Sequence, residues 1–146
     1  MPSTRRRFLG ATAGTTAALV SLAGCTGSDG NPPDRPVVER VGLRNHDDTA
    51  HRVALHVEVD GTVEHWTSYD LAPAGEDGGA ATIEPPAFPA EEAIWAVGVR
   101  LLDGDAQTTV DPRVHDHTCK VLTFRVTDDA DIEPASTSHE CDGGGE

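Results

Sequence analysis

The stretch Arg52-Val53-Ala54-Leu55-His56-Val57-Glu58-Val59-Asp60-Gly61 decides the fold. Val53, Leu55, Val57 and Val59 alternate with Arg52, His56, Glu58 and Asp60. Side chains of an extended chain point to opposite faces in turn, so this is a strand with one buried and one wet face. Asp60-Gly61 is the dipeptide that most strongly favours a two-residue hairpin. The return strand then runs from Thr62 to about Asp70.

The same period of two extends outward. Residues 37–45 form a first strand with Val41 and Leu43 on one face. In residues 93–102, Trp95, Val97, Val99 and Leu101 share a face. Asp103-Gly104 turns the chain into a partner at 107–110. Residues 119–127 form the last strand, with Leu122, Phe124 and Val126 inward. A short strand is expected at 81–84, and residues 90–93 are a candidate helical turn. Residues 73–79 and Pro85-Pro86-Ala87-Phe88-Pro89 are turn-rich. No long segment has the 3.6-residue period of an amphipathic helix. About seven short strands punctuated by turns predict an all-β chain, an antiparallel sandwich. The order of features resembles the immunoglobulin-like or fibronectin-like sandwiches of cell-surface proteins. It departs from a true immunoglobulin domain because Cys119 and Cys141 both follow Trp66 and Trp95. A likeness at the level of fold carries no function with it.

Trp66 has two placements. On the same side as Glu64, Ser68 and Asp70, it would be an exposed aromatic flanked by acids, which can mark a contact surface. On the inner face it would pack in the core and leave His65, Thr67 and Tyr69 outside. The inner placement is the expectation, since a buried tryptophan on a central strand is common in such sandwiches.

The net charge is −14. Residues 1–24 hold Arg5, Arg6 and Arg7 and no acid, so the remainder carries −17. Lys120 is the single lysine. Self-repulsion of this size is screened at molar salt, where the Debye length is about 3 Å. The acid-rich, lysine-poor composition resembles proteins of extreme halophiles. So negative a domain is a poor match for nucleic acid, which is held by Lys and Arg through counterion release.

Residues 1–24 read as an export segment, outside the fold. After the three arginines comes an uncharged, weakly apolar run from Phe8 to Ala23. Its roughly 16 residues fall short of the ~20 that span a hydrocarbon core. The order Thr4-Arg5-Arg6-Arg7-Phe8-Leu9 resembles a twin-arginine signal. Leu22-Ala23-Gly24-Cys25 resembles a lipobox. Together they resemble the small haloarchaeal twin-arginine lipoproteins. That resemblance implies folding before export, lipid modification of Cys25 and attachment to the outer side of the membrane. Residues 25–36 hold Gly27, Ser28, Gly30, Pro32, Pro33 and Pro36 and are expected to form a flexible tether. The sandwich is placed at 37–127, and 128–146 is read as an acidic tail.

With Cys25 given to the lipid, two cysteines remain in a compartment where disulfides persist. A Cys119–Cys141 bond would tie the tail back to the last strand and contribute on the order of 3 kcal/mol. The competing chemistry is metal binding. In an extended His115-Asp116-His117-Thr118-Cys119, the two imidazoles and the thiol share a face, a set suited to copper or zinc. His139 and Cys141 repeat the His-x-Cys spacing. A blue-copper site would also want a nearby downstream histidine and an axial methionine, and the only methionine is Met1.

No zinc-protease, serine-hydrolase or phosphate-loop motif occurs. The mature chain has Ser28, Ser68, Ser136 and Ser138, none in a nucleophile-like context. The sequence therefore points to a lipid-anchored, non-enzymatic binding or scaffolding module with no cofactor. Its partner, protein or small molecule, is not legible. A small metal-binding or electron-transfer module using His115, His117 and Cys119 is the alternative.

Overall fold

A computed structural model of the chain describes residues 35–112 and 118–141. They form eight strands and no helix: β1 (Val37–Asn45), β2 (His51–Val59), β3 (Thr62–Leu71), β4 (Ala80–Ile83), β5 (Trp95–Leu101), β6 (Gln107–Val110), β7 (Thr118–Val126) and β8 (Ile132–Glu140). One sheet has the order β4-β1-β7-β8 and the other β3-β2-β5-β6. The expected all-β sandwich is thus the fold. Its edges are paired across the layers, with β8 near β6 and β4 near β3.

The core is the set of inward positions that the alternation marks out. Val41 and Leu43, Val53 to Val59 in steps of two, Trp95 to Leu101 in steps of two, and Leu122, Phe124 and Val126 are all buried. Each such side chain contributes about 1.5–3 kcal/mol by leaving water. Phe88, from the loop after β4, packs edge-on against Trp95 with ring centroids 5.7 Å apart. The Trp95 Nε1–H donates to the Pro36 carbonyl at 2.8 Å. That bond satisfies the one polar atom of a fully buried indole.

Three features differ from the sequence reading. β1 and β7 run parallel, so their sheet is mixed rather than wholly antiparallel. Parallel neighbours need a long crossover, and here most of the domain lies between them. Residues 90–93 are not helical; Glu92 makes an isolated bridge to Val37 instead. The third difference is an eighth strand. Within the segment read as a tail, Ile132–Glu140 pairs along its whole length with β7. Only Ile132 of it is buried, which is why no apolar alternation announces it. Pro134 lies in β8, an edge strand, where a missing N–H is tolerated.

Candidate functional site

The β2–β3 hairpin positions the most unusual side chain. Asp60 and Gly61 both have positive φ, 48° and 80°, as a type I′ turn requires. Val59 pairs with Thr62 and Glu58 with Val63, but Val57 then pairs with His65. Glu64 is therefore an extra residue, a bulge, and it reverses the facing of everything after it. If Glu64 were paired in the regular ladder, opposite Val57, Trp66 would lie opposite Leu55, in the core. Because Glu64 is bulged out, Trp66 lies opposite His56 on the outer face.

Trp66 is 72% exposed, against 1% for Trp95. The expected inner placement is corrected by this one-residue slip: His65 and Tyr69 take half-buried inward positions, and Thr67 lies opposite Leu55 but stays exposed at the sheet edge. His65 and Tyr69 share a hydrogen bond, Nε2 to Oη, of 2.8 Å. Burial raises the Tyr69 hydroxyl above the ordinary tyrosine range.

Beside Trp66 the outer face is hollowed. A trough of about 340 Å³ is lined by Ala54, His56 and Trp66 on one side and Arg100, Gln107 and Thr109 on the other. Its floor includes Gly98, which pairs with Thr109. A Cβ at position 98 would sit 3.3 Å from Thr109 Oγ1 and 3.9 Å from His56 Nδ1. The absent side chain is what keeps the trough open. The His56 ring meets Trp66 edge-on, centroids 5.6 Å apart at 78°, and so fixes one face of the indole. The result is a flat aromatic surface next to a shallow depression rimmed by groups that can both donate and accept hydrogen bonds.

The second cluster lies on the outer face of the other sheet. Cys119 and Cys141 form a disulfide, Cα atoms 4.9 Å apart. Leu122, Phe124 and Val126 point inward, so Cys119 and its cross-strand partner His139 point away from the core. Glu39 is the bulge residue of β1, skipped between the pairs Val38–Lys120 and Arg40–Val121. Its carboxylate reaches His139 Nε2 at 3.0 Å.

A third cluster ties two loops together. His51, at the start of β2, places Nε2 at 2.7 Å from Asp47 and Nδ1 at 3.1 Å from Asp103. Each carboxylate oxygen accepts where the ring nitrogen facing it carries a proton. The hydrogen bond from His51 holds the Asp47 carboxyl below the ordinary aspartate range, against the opposing effect of burial.

Arg5, Arg6, Phe8, Leu9, Leu22, Ala23, Gly24 and Cys25 lie outside the described residues, as do His115 and His117. The metal set drawn from the sequence loses its sulfur, because a disulfide sulfur of Cys119 is not a thiolate ligand. Three things escaped sequence reading. The trough required knowing that Gly98 and Thr109 are paired. The His51 clamp joins residues 52 positions apart. The approach of His139 to Cys119 requires β8, which lacks a hydrophobic period.

No protein-family model matches the chain, and no curated protein matches it.

Proposed function

We propose that the protein is a non-enzymatic binding module, lipid-anchored through Cys25 at the outer side of the membrane, that takes a neutral saccharide on the outer face of the β3-β2-β5-β6 sheet. The observation that carries the binding reading is Trp66, an indole 72% exposed beside an open trough. Water-exposed tryptophan is costly surface to leave uncovered, and its flat π-face suits the C–H face of a sugar ring. Hydroxyls at the ring edge want partners that donate and accept, as Gln107, Thr109 and His56 can. A purely apolar ligand would leave those groups without partners. Arg100 is the one permanently charged residue among those lining the trough, which disfavours a cation. The −17 charge from Cys25 onward disfavours an anion. The address rests on the order of motifs at residues 4–9 and 22–25. The acidic, lysine-poor composition supports a protein that works in high salt.

The test is calorimetric titration of the full chain, in detergent and molar salt, with neutral oligosaccharides of glucose, mannose and galactose. Binding of at least one is expected, with loss in Trp66→Ala and in Gly98→Leu, which fills the trough. Absence of heat with all three, or unchanged binding by Trp66→Ala, would remove the saccharide reading. A mature N-terminal peptide starting at Cys25 without added lipid mass would remove the anchor.

A further inference from the structure

We infer that reducing the Cys119–Cys141 disulfide turns the outer corner of the β1-β7-β8 sheet into a Zn²⁺ site formed by Cys119, Cys141, His139 and Glu39. The placement is built by three separate features of the backbone. Antiparallel pairing sets His139 directly across from Cys119. The bulge at Glu39 lets its side chain reach over β7 to the His139 ring at 3.0 Å. Cys141 follows His139 by two residues and is already held against Cys119 by the disulfide.

The ligand atoms of Glu39, Cys119 and His139 all lie within 4.8 Å of one another. With bonds of about 2.0–2.3 Å, tetrahedral zinc keeps its ligand atoms about 3.3–3.8 Å apart. Contraction of roughly an ångström, within reach of side-chain torsions, completes the shell. Two thiolates, an imidazole and a carboxylate form a borderline donor set that suits Zn²⁺. While the disulfide is intact the sulfurs are committed to each other, and the contact of Glu39 with His139 remains.

The conversion balances simply. A dithiol reductant delivers two electrons and two protons, its own sulfurs closing into a disulfide, and Cys119 and Cys141 become thiols. Zn²⁺ then displaces the two thiol protons to solvent. Either chemistry staples the end of β8, an edge strand with a single buried residue. A chain that folds in a reducing compartment and works in an oxidising one would have a staple in both. That last point rests on the proposed export; the site itself does not, nor does it depend on the saccharide reading.

The experiment uses Co²⁺ as the probe for Zn²⁺ on the full chain, reduced with a phosphine that does not bind the metal. One equivalent of Co²⁺ is expected to give the intense visible bands of a four-coordinate ion and the near-ultraviolet band of thiolate ligation. Zn²⁺ should abolish both and raise the unfolding temperature of the reduced protein. The oxidised protein should give neither band. His139→Ala and Glu39→Gln, each shown by circular dichroism to fold when oxidised, should weaken binding by at least about tenfold once reduced. Reduced protein without the four-coordinate spectrum, folded or not, overturns the site. So do both variants binding as tightly as the parent, since the thiols alone would then account for the metal.

Discussion

β3 and β8 are both edge strands, one in each sheet, and they are held in place by opposite means. β3 has its register written locally: the Asp60-Gly61 turn starts the pairing, and the Glu64 bulge resets it so that Tyr69 and Leu71 face inward. β8 has almost no side-chain instruction. It is fixed at one end by buried Ile132 and at the other by the Cys119–Cys141 bond, with backbone pairing to β7 between. An edge strand can thus be specified by pattern or by covalent closure. The first leaves an outer face free for a large side chain such as Trp66. The second leaves an outer face that carries a sulfur chemistry.

The largest way to disturb this contrast is insertion of one alanine between Glu64 and His65. The added residue takes the place opposite Val57, which turns Trp66, Ser68 and Asp70 toward the core and Tyr69 outward, burying a charge without a partner. Chemical unfolding should show a loss of more than about 3 kcal/mol. Next is Cys141→Ser, expected to cost on the order of 3 kcal/mol. Amide exchange should speed up chiefly in 132–140 and leave β3 protected; uniform loss across both edges would break the contrast. Gly61→Val places a branched side chain at φ 80° and should cost roughly 1–2 kcal/mol.

A smaller effect is expected from acid. Asp47 is held low by His51, so its contribution is complete above the ordinary aspartate range and is lost as pH falls through its lowered value. The unfolding midpoint should decline from about pH 5 downward, and less steeply in His51→Ala. Trp66→Ala should be the mildest for stability, within about 0.5 kcal/mol, because an exposed indole supports no core. A large loss would mean that Trp66 is structural.

Where side chains alternate in apolarity, the sequence was a sufficient guide. The strands β1, β2, β5 and β7 and their inward residues follow from period two, and β6 follows from the Asp103-Gly104 turn. The facing of Trp66 did not follow, because one extra residue at Glu64 inverts it and nothing in Val63-Glu64-His65 marks a bulge. β8 was invisible for a different reason: Glu133 to Glu140 offers no apolar face, and its pairing is a property of β7. The disulfide was legible from the even cysteine count once Cys25 was set aside, whereas its neighbours Glu39 and His139 were not, since they meet only through the strand order β1-β7-β8.

The most direct test of the outer-face binding surface is acrylamide quenching of tryptophan emission in the wild type and in Trp66→Phe, with and without the oligosaccharide that gives the largest calorimetric signal. The expected result is a quenchable component in the wild type, absent from Trp66→Phe, that the sugar shields. Emission that resists acrylamide in the wild type would place Trp66 inside the sandwich. Emission that is quenched equally with and without sugar would leave Trp66 exposed but not a platform for the ligand.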